Sequence, residues 1–231
     1  MTDLVLVHGA WHGGWAWEAL EREMQLRGVA THAVELPSVG DAEADLRRDV
    51  ATVRDAVAAV AGPVVLVGHS YGGVVITEAA DDLETVQRLV YVTAFVPDVG
   101  ESLLDQVSYG PLDWIQPAGP GLLGVAEDRA RDLFYADVDA AVAAQAQARL
   151  RPQAAASFGQ PVQAAAWRHV PSTYVVCSDD RCIPPSAQRQ WSSRATETVE
   201  LATGHSPFLA QPAALADLLV DRLRQDMPPG A

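Results

Sequence analysis

Ser70 lies in Val64-Val65-Leu66-Val67-Gly68-His69-Ser70-Tyr71-Gly72-Gly73-Val74, where a β-branched run meets G-x-S-x-G and then a helical pattern. Strand, sharp turn and helix in that order lift a serine hydroxyl out of a sheet and set it at the positive end of a helix, where it can serve as a nucleophile. Gly68 and Gly72 answer the same demand, because a side chain at either would strike neighbouring backbone in so tight a turn. A serine hydroxyl attacks only when a base takes its proton. Six histidines compete for that role. His8 and His12 flank the first turn, His32 lies in a strand, His69 adjoins the serine and His169 ends a long irregular interval. His205 stands in Ala202-Thr203-Gly204-His205-Ser206-Pro207-Phe208, after the last strand-like run and before the last helix, which puts it at the carboxyl edge of a sheet. It is the best base. His69 points away from Ser70 and is expected to be a packing residue.

A base of this kind needs a carboxylate to fix its tautomer and stabilise the imidazolium. Val176-Cys177-Ser178-Asp179-Asp180-Arg181 follows the fifth strand-like run and supplies two. Asp180 is preferred and Asp179 is the close rival, since one residue of turn geometry decides which faces the histidine; Asp98, after the fourth run, is a third and weaker choice. Acyl transfer also needs donors for a tetrahedral oxyanion. The amide after the nucleophile, Tyr71, is one, and Ala10 in His8-Gly9-Ala10-Trp11-His12-Gly13-Gly14-Trp15 is the expected second, with Gly9 and the glycine pair turning main-chain amides inward.

Positioning these groups calls for a parallel sheet with crossover helices, and the chain alternates accordingly. Strands are expected at Leu4–Val7, Ala30–Val34, Val64–Val67, Leu89–Val92, Thr173–Val176 and Thr198–Leu201, mostly apolar on successive residues as for strands covered on both faces. Helices are expected at Trp15–Leu26, Ala44–Val60, Tyr71–Ala80, Ser186–Ser193 and Ala213–Arg224. From Val99 to His169 no convincing strand occurs over about seventy residues, too long for an ordinary loop. With helical patterns at Glu127–Tyr135 and Val138–Leu150, residues 99–169 read as a helical cap inserted in a core formed by 1–98 and 170–231. Of its aromatics Tyr109, Trp114, Phe134, Tyr135, Phe158 and Trp167, most are expected to be core and one or two to face a substrate.

The chain has 231 residues with 49% apolar side chains, enough for one α/β domain with a sizeable core. Its 16 basic residues are all arginine. The absence of lysine and asparagine excludes Schiff-base chemistry, a phosphate-gripping P-loop lysine and N-glycosylation. A formal charge of −14 with scattered arginines offers no basic stripe, so neither nucleic acid nor membrane is an expected partner, while a homodimer stays open. No stretch of about 18 apolar residues occurs and the first strand-like run starts at Leu4, so a cytoplasmic protein without a signal peptide is expected. Cys177 and Cys182 lack metal-site company and are expected to be reduced and structural. No metal or cofactor is called for.

Several of these segments resemble a known family. Leu4–Trp15, Gly68–Gly73, Phe95-Val96-Pro97-Asp98 and Asp180-Arg181-Cys182-Ile183-Pro184 through Gln188 to Trp191 are similar to the α/β-hydrolase branch that holds plant methylesterases, among them methyl salicylate and polyneuridine aldehyde esterases, and hydroxynitrile lyases. The cap shows no such match. The resemblance implies the α/β-hydrolase fold, an acid at Asp180 and a base at His205. Lyases of the branch carry threonine where Gly9 stands and lysine where Ser206 stands; this chain has neither, so the resemblance implies the esterase side. Its esterases commonly carry methionine at the Ser206 position, and serine there makes a smaller or more polar pocket.

The expectation is a serine hydrolase of a small carboxylic ester, such as a methyl ester, using Ser70, His205 and Asp180 with the Ala10 and Tyr71 amides. A lactone or C–C bond hydrolase would use the same residues. A different class, a ligand-binding protein or a cofactor-free cyclase or oxygenase on the same fold, would not depend on Ser70.

Overall fold

The computed structural model describes residues 2–108, 110 and 112–225. The chain opens with β1 (Asp3–Val7), a 3-10 turn (Gly14–Trp17) that runs into α1 (Glu18–Leu26), β2 (Thr31–Val34), α2 (Leu46–Ala58), β3 (Val64–His69), α3 (Gly72–Ala79) and β4 (Val86–Val92). There follow α4 (Leu103–Gln106), β5 (Ile115–Pro117), β6 (Leu122–Val125), α5 (Glu127–Phe134), α6 (Ala140–Ala148), β7 (Gln153–Ala154), α7 (Ala156–Gly159) and a 3-10 turn (Ala166–Arg168). The end of the chain supplies β8 (Ser172–Cys177), α8 (Pro185–Ser192), β9 (Glu197–Leu201), α9 (Pro207–Ala210) and α10 (Pro212–Gln225).

The six long strands form one parallel sheet in the order β2-β1-β3-β4-β8-β9. Side chains alternate between its faces, and both faces are covered, which is why the strands read as continuous apolar runs. Val5, Val7, Leu66 and Tyr91 pack with Val53 and Val57 of α2 and with α3, while Leu4, Leu6, Val65 and Val90 pack with Leu20 and Met24 of α1 and Leu215 and Leu219 of α10. β2 lies on one side of β1 and β3 on the other, so the chain reverses direction there. The loops leaving β1 and β3 therefore diverge at the carboxyl edge and open a crevice, the usual ligand position of such sheets.

Between β4 and β8 the structure corrects the expectation of a purely helical insert. Helices α5 and α6 fall where the pattern put them, but β5, β6 and β7 form a three-stranded antiparallel sheet in that order. Residues 118–121 form the tip of the β5–β6 hairpin, with Gly119 and Gly121 in the left-handed region at φ 128° and 70°. Among the described residues no helix is long and apolar enough to cross a membrane.

Candidate active site

Ser70 follows β3 directly and has φ 51°, in the left-handed region that side chains normally avoid. The turn is pinned from both sides: Ser70 N–H donates to Val92 O (3.3 Å), and Ser70 O accepts from Gly73 N–H (3.0 Å) and Phe95 N–H (3.2 Å). Neighbours that fix a residue this thoroughly are what allow strained backbone to persist. The glycines are required by contact. A Cβ on Gly68 would lie 2.7 Å from Gly72 O, and one on Gly72 would lie 2.4 Å from Val7 O.

The loop after β8 brings Asp180 to His205. His205 Nδ1–H donates to Asp180 Oδ2 at 2.8 Å, and the two residues are only 2% and 5% exposed. Asp180 Oδ1 accepts from the amides of Cys182 (2.7 Å) and Ile183 (2.9 Å), while Oδ2 accepts also from Thr93 Oγ1 (2.5 Å) and Gln188 Nε2 (3.2 Å). Of the three carboxylates weighed from sequence, Asp180 alone reaches the histidine. Asp179 is exposed, and Asp98 pairs with Arg168. His69 does more than pack. Its Nε2–H donates to His205 O at 2.9 Å and its ring lies 4.6 Å from the His205 ring, so the residue preceding Ser70 holds the main chain of His205. Among the described residues no hydrogen bond joins Ser70 Oγ to His205.

The remaining histidines of the site are neutral braces. Burial pushes His8 down to about 4 and His12 down to about 3, and lowers His69 well below the ordinary imidazole value. His8 Nδ1–H donates to Gly9 O, and His8 Nε2 accepts from Leu36 N–H. His12 Nδ1–H donates to Ala10 O, and His12 Nε2 accepts from the Tyr135 hydroxyl. The loop after β1 is thus clamped around Ala10. The Ala10 and Tyr71 amides meet no acceptor among the described residues. The loop's left-handed residue is Trp11, at φ 63°, whose amide donates to Gln153 Oε1 at 3.3 Å. The Gly14 amide, expected to turn inward, donates instead to Glu35 Oε1, and a Cβ on Gly13 would strike the Trp15 ring.

Ser70, Ala10 and Tyr71 line a cavity with about 400 Å³ of empty space, part of it open to solvent, whose other walls include Trp11, Phe95, Leu103, Trp114, Phe158 and Ile183. Among the described residues no charged side chain lines it. Two insert aromatics, Trp114 and Phe158, take part in the lining. Phe134 stacks on Trp11 and lies against His205, Tyr135 serves His12, and Trp167 donates to Pro97 O. Tyr109 falls outside the described residues. Trp11 and Phe95 escaped the sequence reading because their role depends on loops meeting across the sheet edge. Among the described residues no cluster of His, Cys, Asp or Glu could hold a metal ion.

Known proteins agree with this architecture. A pyrethroid hydrolase of Sphingobium wenxiniae is 29% identical over 246 residues, covering 96% of this chain and 87% of that protein. Methylesterase 7 of Arabidopsis thaliana is 26% identical over 249 residues, covering 94% of each. The crystal structure of a pyrethroid hydrolase from Sphingobium faniae JZ-2 superposes with a TM-score of 0.84 at 28% identity, covering 95% of this chain and 96% of that one. A profile described as the alpha/beta hydrolase family matches residues 4–218, from β1 into α10 and through every part of the crevice just described, and the chain belongs to that family.

Proposed function

We propose that this carboxylic ester hydrolase cleaves small, uncharged esters through an acyl-enzyme on Ser70. The observation that carries the reading is that Ser70 lines one apolar cavity with Ala10 and Tyr71, whose amides meet no acceptor among the described residues, while His205 is buried and bonded to Asp180. His205 Nε2 takes the proton as Ser70 Oγ attacks the carbonyl carbon, and the Ala10 and Tyr71 amides hold the resulting oxyanion. Collapse breaks the ester C–O bond, and His205 returns the proton to the departing alcohol. Water, giving its proton to His205, then attacks the acyl carbon and releases the acid with Ser70 restored. The Ser70–His205 hydrogen bond belongs to the substrate complex, since such bonds are commonly loose until substrate fills the site. Asp180 keeps Nδ1 protonated and Nε2 turned toward the serine.

The lining supports the substrate class. Among the described residues the wall holds no cation to balance a free carboxylate, so burying a charged acyl group there would be costly, whereas an aromatic or alicyclic acid esterified with a small alcohol buries mainly apolar surface. The names of the relatives, for hydrolases of pyrethroids and of methyl esters, favour the same class. Ser70→Ala should abolish turnover of p-nitrophenyl acetate and of aromatic methyl esters apart from a small residue due to the amides. Normal rates in that variant would sink the reading. Ester, lactone and C–C substrates assayed side by side measure how far the preference for esters extends.

A further inference from the structure

Thr93 directly follows β4, is completely buried, and has φ 38°. A left-handed backbone is least comfortable at a β-branched residue, and such outliers gather where they serve a site. The contacts around Thr93 show what the conformation achieves. On one side the main chain of 92–95 grips the nucleophile turn, through Ser70 N–H to Val92 O and Phe95 N–H to Ser70 O. On the other, Thr93 N–H donates to Val175 O of β8 at 2.9 Å. From this position the Thr93 hydroxyl donates to Asp180 Oδ2 at 2.5 Å, the oxygen that also accepts from His205 Nδ1–H. The two carboxylate oxygens have separate partners, since Oδ1 is held by the Cys182 and Ile183 amides. Gln188 is the weaker neighbour of Oδ2: its Nε2 stands at 3.2 Å and bonds Ile183 O more closely, at 2.7 Å.

We propose that Thr93 is a positioning residue: its hydroxyl locks the Asp180 carboxylate with Oδ2 facing His205, and its strained backbone couples that lock to the turn carrying Ser70. The inference rests on the reading of Ser70, His205 and Asp180 given above. A hydrogen bond to an ionised carboxylate is strong and directional, so its loss lets the carboxylate rotate and the imidazole follow.

The test compares Thr93→Val, which keeps the branched shape, Thr93→Ala, which removes the hydroxyl without bulk, and Thr93→Ser, which keeps the donor. With p-nitrophenyl acetate, Val and Ala should lose about tenfold or more in kcat with KM unchanged, and should slow fluorophosphonate labelling of Ser70; Ser should stay within about twofold of wild type. In an Asp180→Asn background, Thr93→Ala should add little further loss, because the hydroxyl acts through the carboxylate. Wild-type kcat in both Val and Ala, an equal loss in Ser, or full additivity with Asp180→Asn would overturn the proposal. Ser70→Ala assayed in parallel separates the two levels. Activity surviving it overturns the triad reading and this inference together, whereas an inactive Ser70→Ala beside fully active Thr93→Val and Thr93→Ala overturns this inference alone.

Discussion

Tyr71 serves the site with its two ends separately. Its amide meets no acceptor among the described residues, while its hydroxyl donates at 2.6 Å to Asp49 Oδ2, a fully buried carboxylate that also accepts from the amide and hydroxyl of Ser38. Burial raises both the Tyr71 phenol and the Asp49 carboxyl from their ordinary values, and the donors around Asp49 offset part of that effect. Tyr71→Phe should therefore lower stability by about 1–3 kcal/mol, the cost of leaving a buried acceptor short of a donor, while kcat per folded molecule changes only a few-fold. Urea midpoints and active-site-titrated rates measure the two separately; a kcat loss as large as that of Ser70→Ala would mean the phenol takes part in the reaction. At this scale the turn at Ser70 and the pairing of Asp180 with His205 were legible because each residue sits at a fixed offset from a strand end or a glycine. Thr93, Asp49 and the His69 bond to His205 were not. Each depends on which strand ends and helices become neighbours, information that residue spacing does not carry.

The insert between β4 and β8 is tied to the core by polar side chains as well as by packing. Gln153 of β7 donates to Ser38 Oγ (2.6 Å) and Ser157 Oγ (2.9 Å) and accepts from the Trp11 amide, linking the insert, the Asp49 cluster and the loop that carries Ala10. Asp137, between α5 and α6, accepts from Gly204 N–H (2.7 Å) and Thr203 Oγ1 (2.8 Å), next to His205. Gln153→Leu strands several buried partners at once, so it should cost about 2–4 kcal/mol and also lower kcat, because the Trp11 turn loses its support. Thermal melts and kcat on the same preparation check this; loss of stability with unchanged kcat would show that the Ala10 loop holds its shape without the insert. Every core strand and most core helices were readable because continuous apolar runs and amphipathic spacing are strong patterns. Strands β5 to β7 were missed for a physical reason. They are two to four residues long and include Pro117 and Gly124, so they fall below the length at which alternation becomes a signal, and Pro117 is tolerated because β5 is an edge strand.

For the molecule as a whole, three histidines buried in the neutral form make stability depend on acid. Their folded values lie below 6.5, at about 4 for His8, about 3 for His12 and lower than usual for His69, so below pH 6.5 the unfolded chain binds more protons than the folded one. Stability is therefore present above the unfolded value and is lost as pH falls, by roughly 2 kcal/mol each for His8 and His12 between pH 7 and pH 5, with His69 adding in the same direction. Relief of self-repulsion as the charge of −14 shrinks toward the pI of 4.6 works in the opposite direction, and added salt screens it. Denaturant unfolding at about 0.5 M salt should show the drop. A flat profile would mean that these rings reach solvent or a proton partner. The four described residues other than glycine that adopt positive φ are Trp11, Ser70, Asp82 and Thr93, and all but Asp82 belong to the site. A laboratory evolution campaign that scored heat tolerance alone would favour glycine at Ser70, where strain is relieved and no packed ring is lost, and would select robust proteins that the proposed mechanism leaves without a nucleophile.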